Sequence, residues 1–238
     1  EEVVVTVQGY LLRCALPPVY RIEQIPKNAR AAKQAVTLTG LGCEAFDTAG
    51  RAIMEIHSYL SDTLPDGSLQ PWTPMKDEDC ICLEFSNRYF TLGGNMTDGE
   101  SIPFPKAVDP NGVLGRYAPE LKHTDDNEVL YFERKNSENP KNYTYVSCNP
   151  AAIRPGQLVE LQVAFGTVPI SKGRHIMLSK LRSICVISRR VQDNTPTSPL
   201  KKIKRSVGYR MSCDSVNQTA GALKRMRLTS DGEQMSDE

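Results

Sequence analysis

No apolar run in the 238-residue chain approaches the roughly 18 residues that span a bilayer as a helix: even Val3 to Leu16 is interrupted by Thr6, Gln8, Gly9 and Arg13. No membrane partner is expected. Histidine is scarce, with three in the whole chain (His57, His123, His175), and none precedes a nucleophile or a carboxylate pattern that would form a triad. Phosphate-loop glycines are missing as well. Gly40-Leu41-Gly42 and Gly93-Gly94 lack the third glycine or the Lys-Ser/Thr that leads into a helix, which disfavours nucleotide hydrolysis. There is no second cysteine pair to match Cys80 and Cys82. Although Asp79 and His57 could complete a ligand set with them, a lone C-x-C inside an apolar strand reads as core packing, and neither metal nor cofactor is expected. The remaining acid/base cluster, His123 with Asp125 and Asp126, lies beside Lys122 and Asn127 and has the look of a solvated loop. The chain is expected not to be an enzyme.

What is present is an ordinary globular composition, 39% hydrophobic and 24% charged, which excludes collagen-like, coiled-coil and wholly disordered chains. The seven cysteines are an odd number set mostly among apolar residues, and this favours a reducing compartment over secretion despite Asn-x-Thr triplets at Asn95, Asn142 and Asn217.

Period-two alternation dominates the first four fifths. Val3 to Leu12 is β-branched and bent at Gly9; Ala35 to Leu41, Cys80 to Ser86 and Tyr89 to Leu92 are short strands; Val129 to Glu133 and Tyr143 to Cys148 read as a hairpin. The clearest signal is a long hairpin, Gln157 to Phe165 and His175 to Ser188, around the turn Ser171-Lys172-Gly173. Arg51 to Leu60 fits either a strand or two helical turns. These spacings predict a mainly β domain over 1–190, a sandwich or an OB-like barrel with loop insertions at 61–79 and 95–125.

At Trp72 to Pro74, Asn87-Arg88-Tyr89-Phe90-Thr91-Leu92-Gly93, Asp126 to Tyr131, Gly156 to Glu160 and Leu181 to Ile184, the chain resembles an uncharacterised family of proteins from mushroom-forming fungi. The resemblance covers about residues 19–190. It implies an intracellular protein and carries no activity, cofactor or catalytic residue.

The net charge of +1 conceals its distribution. A nucleic-acid platform needs aromatic rings for stacking beside cations for phosphates, and Arg88-Tyr89 together with Lys172, Arg174, Lys180 and Arg182 of the long hairpin fit that recipe. Lys180 and Arg182, two apart, project from one face of a strand. From Gln192 onward aromatics nearly vanish, and 191–238 is expected to be a disordered tail. Residues 201–227 carry eight basic side chains against Asp214 alone. Lys201, Lys202, Lys204 and Arg205 form one import-type cluster and Lys224, Arg225 and Arg227 a second, each suited to an import receptor. Thr195 and Ser198 precede prolines and Ser230 and Ser236 precede acids, so phosphorylation at these four would change the tail's charge. The sequence therefore points to a non-enzymatic nuclear protein that binds single-stranded or duplex nucleic acid. The alternative is a protein-interaction or structural β module.

Overall fold

The computed structural model describes residues 2–77, 79–91, 100–117, 120–136 and 143–189. Eight strands and one helix run in the order β1 (Val4–Ala15), β2 (Lys33–Thr39), α1 (Glu44–Asp62), β3 (Met75–Asp77), β4 (Cys80–Arg88), β5 (Leu130–Asn136), β6 (Tyr143–Ser147), β7 (Leu158–Pro169) and β8 (His175–Ser188). The protein is mainly β. All eight strands belong to one sheet, ordered β3-β4-β2-β1-β7-β8-β5-β6, rather than to the two packed sheets of a sandwich.

The sheet returns on itself. β4, β2, β1, β7 and β8 are antiparallel neighbours, and Ser86 of β4 meets Lys180 of β8 in a single parallel bridge, so five strands make a ring closed at one residue pair. β3 continues outward from β4, whereas β5 lies parallel to β8 from Leu130↔Ser183 to Glu133↔Val186 and carries β6 at the end of the sheet.

The alternating residues of the ring strands explain its interior. Val7 and Leu11 of β1, Val36 and Leu38 of β2, Leu83 and Phe85 of β4, Val159, Leu161 and Val163 of β7, and Leu181, Ile184 and Val186 of β8 are all buried in one cluster. The step from Leu181 to Ile184 breaks the period because Gln162↔Ser183 and Val163↔Leu181 are consecutive pairs, leaving Arg182 as an extra, bulged residue.

Residues 44–62 resolve to a 19-residue helix. Phe46, Gly50 and Ile53 are buried, and the half-buried Ala49, Ile56, His57 and Leu60 complete a stripe at helical spacing. Glu44 and Asp47 in the first turn favour the positive end of the helix dipole. Phe46 plugs the ring core, and it fits because Gly9 and Gly40 have no side chains: a Cβ on Gly9 would lie 2.7 Å from the Phe46 ring, and one on Gly40 would collide with Phe46 Cβ.

Tyr89 and Phe90 do not extend a strand. They enter a second buried cluster with Val19, Ile25, Ala32, Val113 and Leu114, where Phe90 meets Phe104 and Tyr117 edge-on.

Candidate nucleic-acid interface

The register of β4 and β8 decides where the expected cations stand. Leu83, Phe85 and Asn87 of β4 are buried on the core side, so Glu84, Ser86 and Arg88 belong to the outer face; Lys33 pairs with Arg88, and Lys180 pairs with Ser86. Arg182, the bulged residue, joins Lys180 on that side. Arg88, Lys180 and Arg182 thus share the outer face of β4 and β8.

Lys172 and Arg174 do not join them. They sit at the exposed tip of the β7–β8 hairpin, where Lys172 adopts the left-handed conformation that turns the chain, and Arg174 is six positions from Lys180 along the strand, about 20 Å at 3.3 Å per residue. The expected platform is therefore two separate basic places. The tip is itself anchored by Leu69, which bridges His175, and by hydrogen bonds from Gln70 N to His175 O and from His175 N to Ser68 O.

Acids occupy the first of these places. Lys180 Nζ lies 3.0 Å from Asp126 Oδ2, and the Arg182 guanidinium contacts Asp126 Oδ1 at 2.6 Å, the Asp126 backbone carbonyl at 2.6 Å and both Glu2 carboxylate oxygens at 2.5 and 2.8 Å. Burial pushes the Asp126 carboxyl up, but hydrogen bonds from Arg182 and Lys180 outweigh it and hold the group below its usual value. For Arg182, partial burial works against the charged form, while hydrogen bonds to Glu2 and Asp126 more than restore it and raise its pKa. Lys33 is likewise paired, 2.8 Å from Glu84. Arg88 has no acidic partner among the described residues.

Tyr89 is not the stacking ring. It is only 5% exposed and edge-on to Phe104, and burial, followed by the nearby charge of Asp109, raises its hydroxyl pKa well above the usual tyrosine value. Turning its ring to a base would require opening the second cluster.

Two other tyrosines meet the requirement. On β6, Tyr143 is 47% and Tyr145 60% exposed, and both lie on the face that carries Arg134, the register partner of Tyr145. The Arg134 guanidinium sits 4.4 Å from the centre of the Tyr143 ring, within cation–π range. Register puts them on the same side of the sheet: Leu130 pairs with Ser183 and Phe132 with Cys185, so Leu130, Phe132 and Arg134 of β5 share the outer side with Lys180 and Arg182. Glu133 pairs with Val186, so Arg134 stands level with residue 187, about 23 Å along from Lys180 at 3.3 Å per residue, and the buried Ser183 and Cys185 lie between; Arg134, Tyr143 and Tyr145 form a separate group on that side. Alternation within Tyr143-Thr144-Tyr145 was the available signal for the rings, since it places both on one side of a strand.

The acid/base cluster does not assemble. His123 turns inward, its Nδ1 2.8 Å from the Tyr89 carbonyl, whereas Asp126 faces Lys180 and Arg182 and Asp125 is exposed. The Cys80 and Cys82 set is also dispersed: Cys82 Sγ donates weakly to the Cys80 carbonyl, His57 Nε2 is bonded to the Gln70 carbonyl, and among the described residues no group of three or more His, Cys, Asp or Glu could hold a metal ion. The import clusters at Lys201, Lys202, Lys204 and Arg205 and at Lys224, Arg225 and Arg227, with Thr195, Ser198, Ser230 and Ser236, lie outside the described residues. No protein-family model matches the chain, and no curated protein matches it.

Proposed function

We propose that this is a non-enzymatic nuclear protein that binds single-stranded nucleic acid across the outer face of β4, β8, β5 and β6. The observation that carries the reading is the exposed pair Tyr143 and Tyr145 beside Arg134, on the same side of the sheet as Arg88, Lys180 and Arg182. Bases stack on the two rings whatever their sequence, and the cations follow the phosphates. Lys172 and Arg174 at the hairpin tip provide a second, detached phosphate contact. Cyclic strand order adds support by analogy: counting ring strands only, the order is first, second, third, fifth, fourth, with the third and fifth parallel, as in the OB barrel, a fold used to bind oligonucleotides. The two basic clusters of the tail serve import, and phosphates at Thr195 and Ser198 weaken receptor binding by adding negative charge beside Lys201 and Lys202.

Replacing Tyr143 and Tyr145 with Ala tests the reading in the full chain against a labelled single-stranded oligonucleotide. Each ring lost costs about 1 to 3 kcal/mol of binding with little change in the salt slope, and the tail, common to both proteins, cancels from the comparison. Unchanged affinity rejects the stacking reading.

One observation favours the protein-interaction alternative. β6 ends the sheet with all five residues exposed, so its outer edge offers backbone groups to an added strand, and Val146 offers apolar contact. This reading takes over if the tyrosine variant binds single strands as the parent does.

A further inference from the structure

Away from the sheet face, the loops that build the second cluster line a half-open pocket of about 470 Å³, within the range of small-ligand sites. Ile102, Phe104 and Leu121 supply apolar wall, and Ser101, Asp109 and His123 its polar side chains. Asp109 is 7% exposed; its two carboxylate oxygens take hydrogen bonds from Val113 N at 2.6 Å and Gly115 N at 2.9 Å, yet no Lys, Arg or His pairs with it among the described residues. Each oxygen keeps a lone pair, and a carboxylate this buried normally has a cation opposite it.

His123 adds a second acceptor. The Tyr89 carbonyl can only accept, so His123 Nδ1 carries the hydrogen and Nε2 of the neutral ring presents its lone pair, with no donor to it among the described residues. Burial, only partly offset by the bond to Tyr89 and the charge of Glu128, lowers the His123 pKa and keeps the ring neutral. Phe104 stacks on the imidazole, with ring centres 3.9 Å apart. Beside the carboxylate the wall has no side chain at Gly112 or Gly115, and a Cβ on Gly115 would sit 3.7 Å from Asp109 Oδ2 in ordinary contact.

We infer that this pocket binds a small organic cation rich in N–H donors, a guanidinium or ammonium group on an apolar stem, with Asp109 as counter-charge and His123 as the second acceptor. A neutral acceptor-bearing ligand would leave Asp109 unpaired, and an anion would be repelled by it. The same head group is carried by a free amine and by an arginine or lysine side chain of a peptide. The site is independent of the nucleic-acid face, since none of its residues lies on β4, β8, β5 or β6.

Calorimetric titration of the full chain with n-butylguanidinium and with its neutral isostere n-butylurea, alongside acetyl-Gly-Arg-Gly-amide and the citrulline peptide of the same length, tests the assignment. Saturable one-to-one binding of a cation, at least tenfold tighter than its neutral isostere, is expected. Tighter binding of n-butylguanidinium identifies a free cation as the occupant, and tighter binding of the arginine peptide identifies a side chain. Asp109→Asn should remove the preference for cations. Because Asp109 also holds the loop at Val113 and Gly115, Gly115→Val provides a second variant that covers Oδ2 without removing it, and it should weaken cation binding at least tenfold while the melting temperature is kept. Equal binding of the cationic and neutral probes, or cation binding unaffected by Gly115→Val in a folded protein, overturns the inference.

Discussion

Asp126→Asn should make the protein slightly less stable and a better binder of single strands, two effects of opposite sign from one carboxylate. Its side chain is about half exposed and pairs with Lys180 and Arg182 at 3.0 and 2.6 Å. Exposed pairs contribute about 0.2 to 1 kcal/mol each, so their joint loss at neutral pH is about 1 kcal/mol, a fall of about 2 to 4 °C in melting temperature for a domain of this size. The sign with pH follows from the direction of the shift. Because the carboxyl is held below its unfolded value near 3.9, its contribution is present above about pH 4 and lost as pH falls through the lower folded value, so variant and parent should converge in acid.

Binding moves the other way. The substitution removes the charge opposite Lys180, which has no other acidic partner among the described residues, and one of the two acids on Arg182, since Glu2 keeps its two contacts with the guanidinium. Each added phosphate contact steepens the single-strand salt slope by about 0.7, so log K against log salt should steepen by about 0.7 to 1.4. Fluorescence anisotropy over a range of salt concentrations reads this directly. An unchanged or flatter slope, with the fold intact by circular dichroism, would refute the placement of Lys180 and Arg182 on the phosphate path.

Phe46→Ala should cost about 3 to 5 kcal/mol in denaturant unfolding, because the ring fills the core between α1 and the strands and little around it can collapse inward; a loss under about 1 kcal/mol would mean the helix is not seated there. Replacing Lys201, Lys202, Lys204 and Arg205 together with Lys224, Arg225 and Arg227 by Ala should shift a fluorescent fusion from nucleus to cytoplasm, and unchanged nuclear retention would remove the import reading.

The long hairpin was legible because β7 alternates apolar and polar residues and the turn chemistry is local: Gln157 to Phe165 and His175 to Ser188 are β7 and β8, and Ser171-Lys172-Gly173 is the turn between them. The shorter β5–β6 pair was legible from its strand-forming runs Val129 to Glu133 and Tyr143 to Cys148. The helix was ambiguous because its buried stripe includes Ala49 and Gly50, which carry little hydrophobic signal, and because Cys43 at its start offers no capping hydrogen bond. Of the expected cations, Arg88, Lys180 and Arg182 do share one outer face, but the acids that pair Lys180 and Arg182 were not legible. Asp126 meets Lys180 across 54 positions and Glu2 meets Arg182 across 180, separations at which spacing says nothing. Tyr89 follows Arg88 in the sequence whereas no cation adjoins Tyr145, so local sequence favoured the wrong ring; the packing of Phe104, Val113 and Leu114, which buries Tyr89, is what excludes it.

The seating of Phe46 against Gly9 and Gly40 also has an evolutionary consequence. Position 9 meets the far edge of the ring, which a shorter side chain at 46 would vacate, and Leu38 Cβ at 3.2 Å, which would have to give by a few tenths of an ångström, so Ala at 9 should occur together with Leu or a smaller residue at 46 in descendants of this sequence. Position 40 meets the Cβ of residue 46, which every residue but glycine carries. Lineages that keep the helix in this seat are thus free to exchange volume between 9 and 46, but at 40 glycine should stay fixed whatever residue plugs the ring.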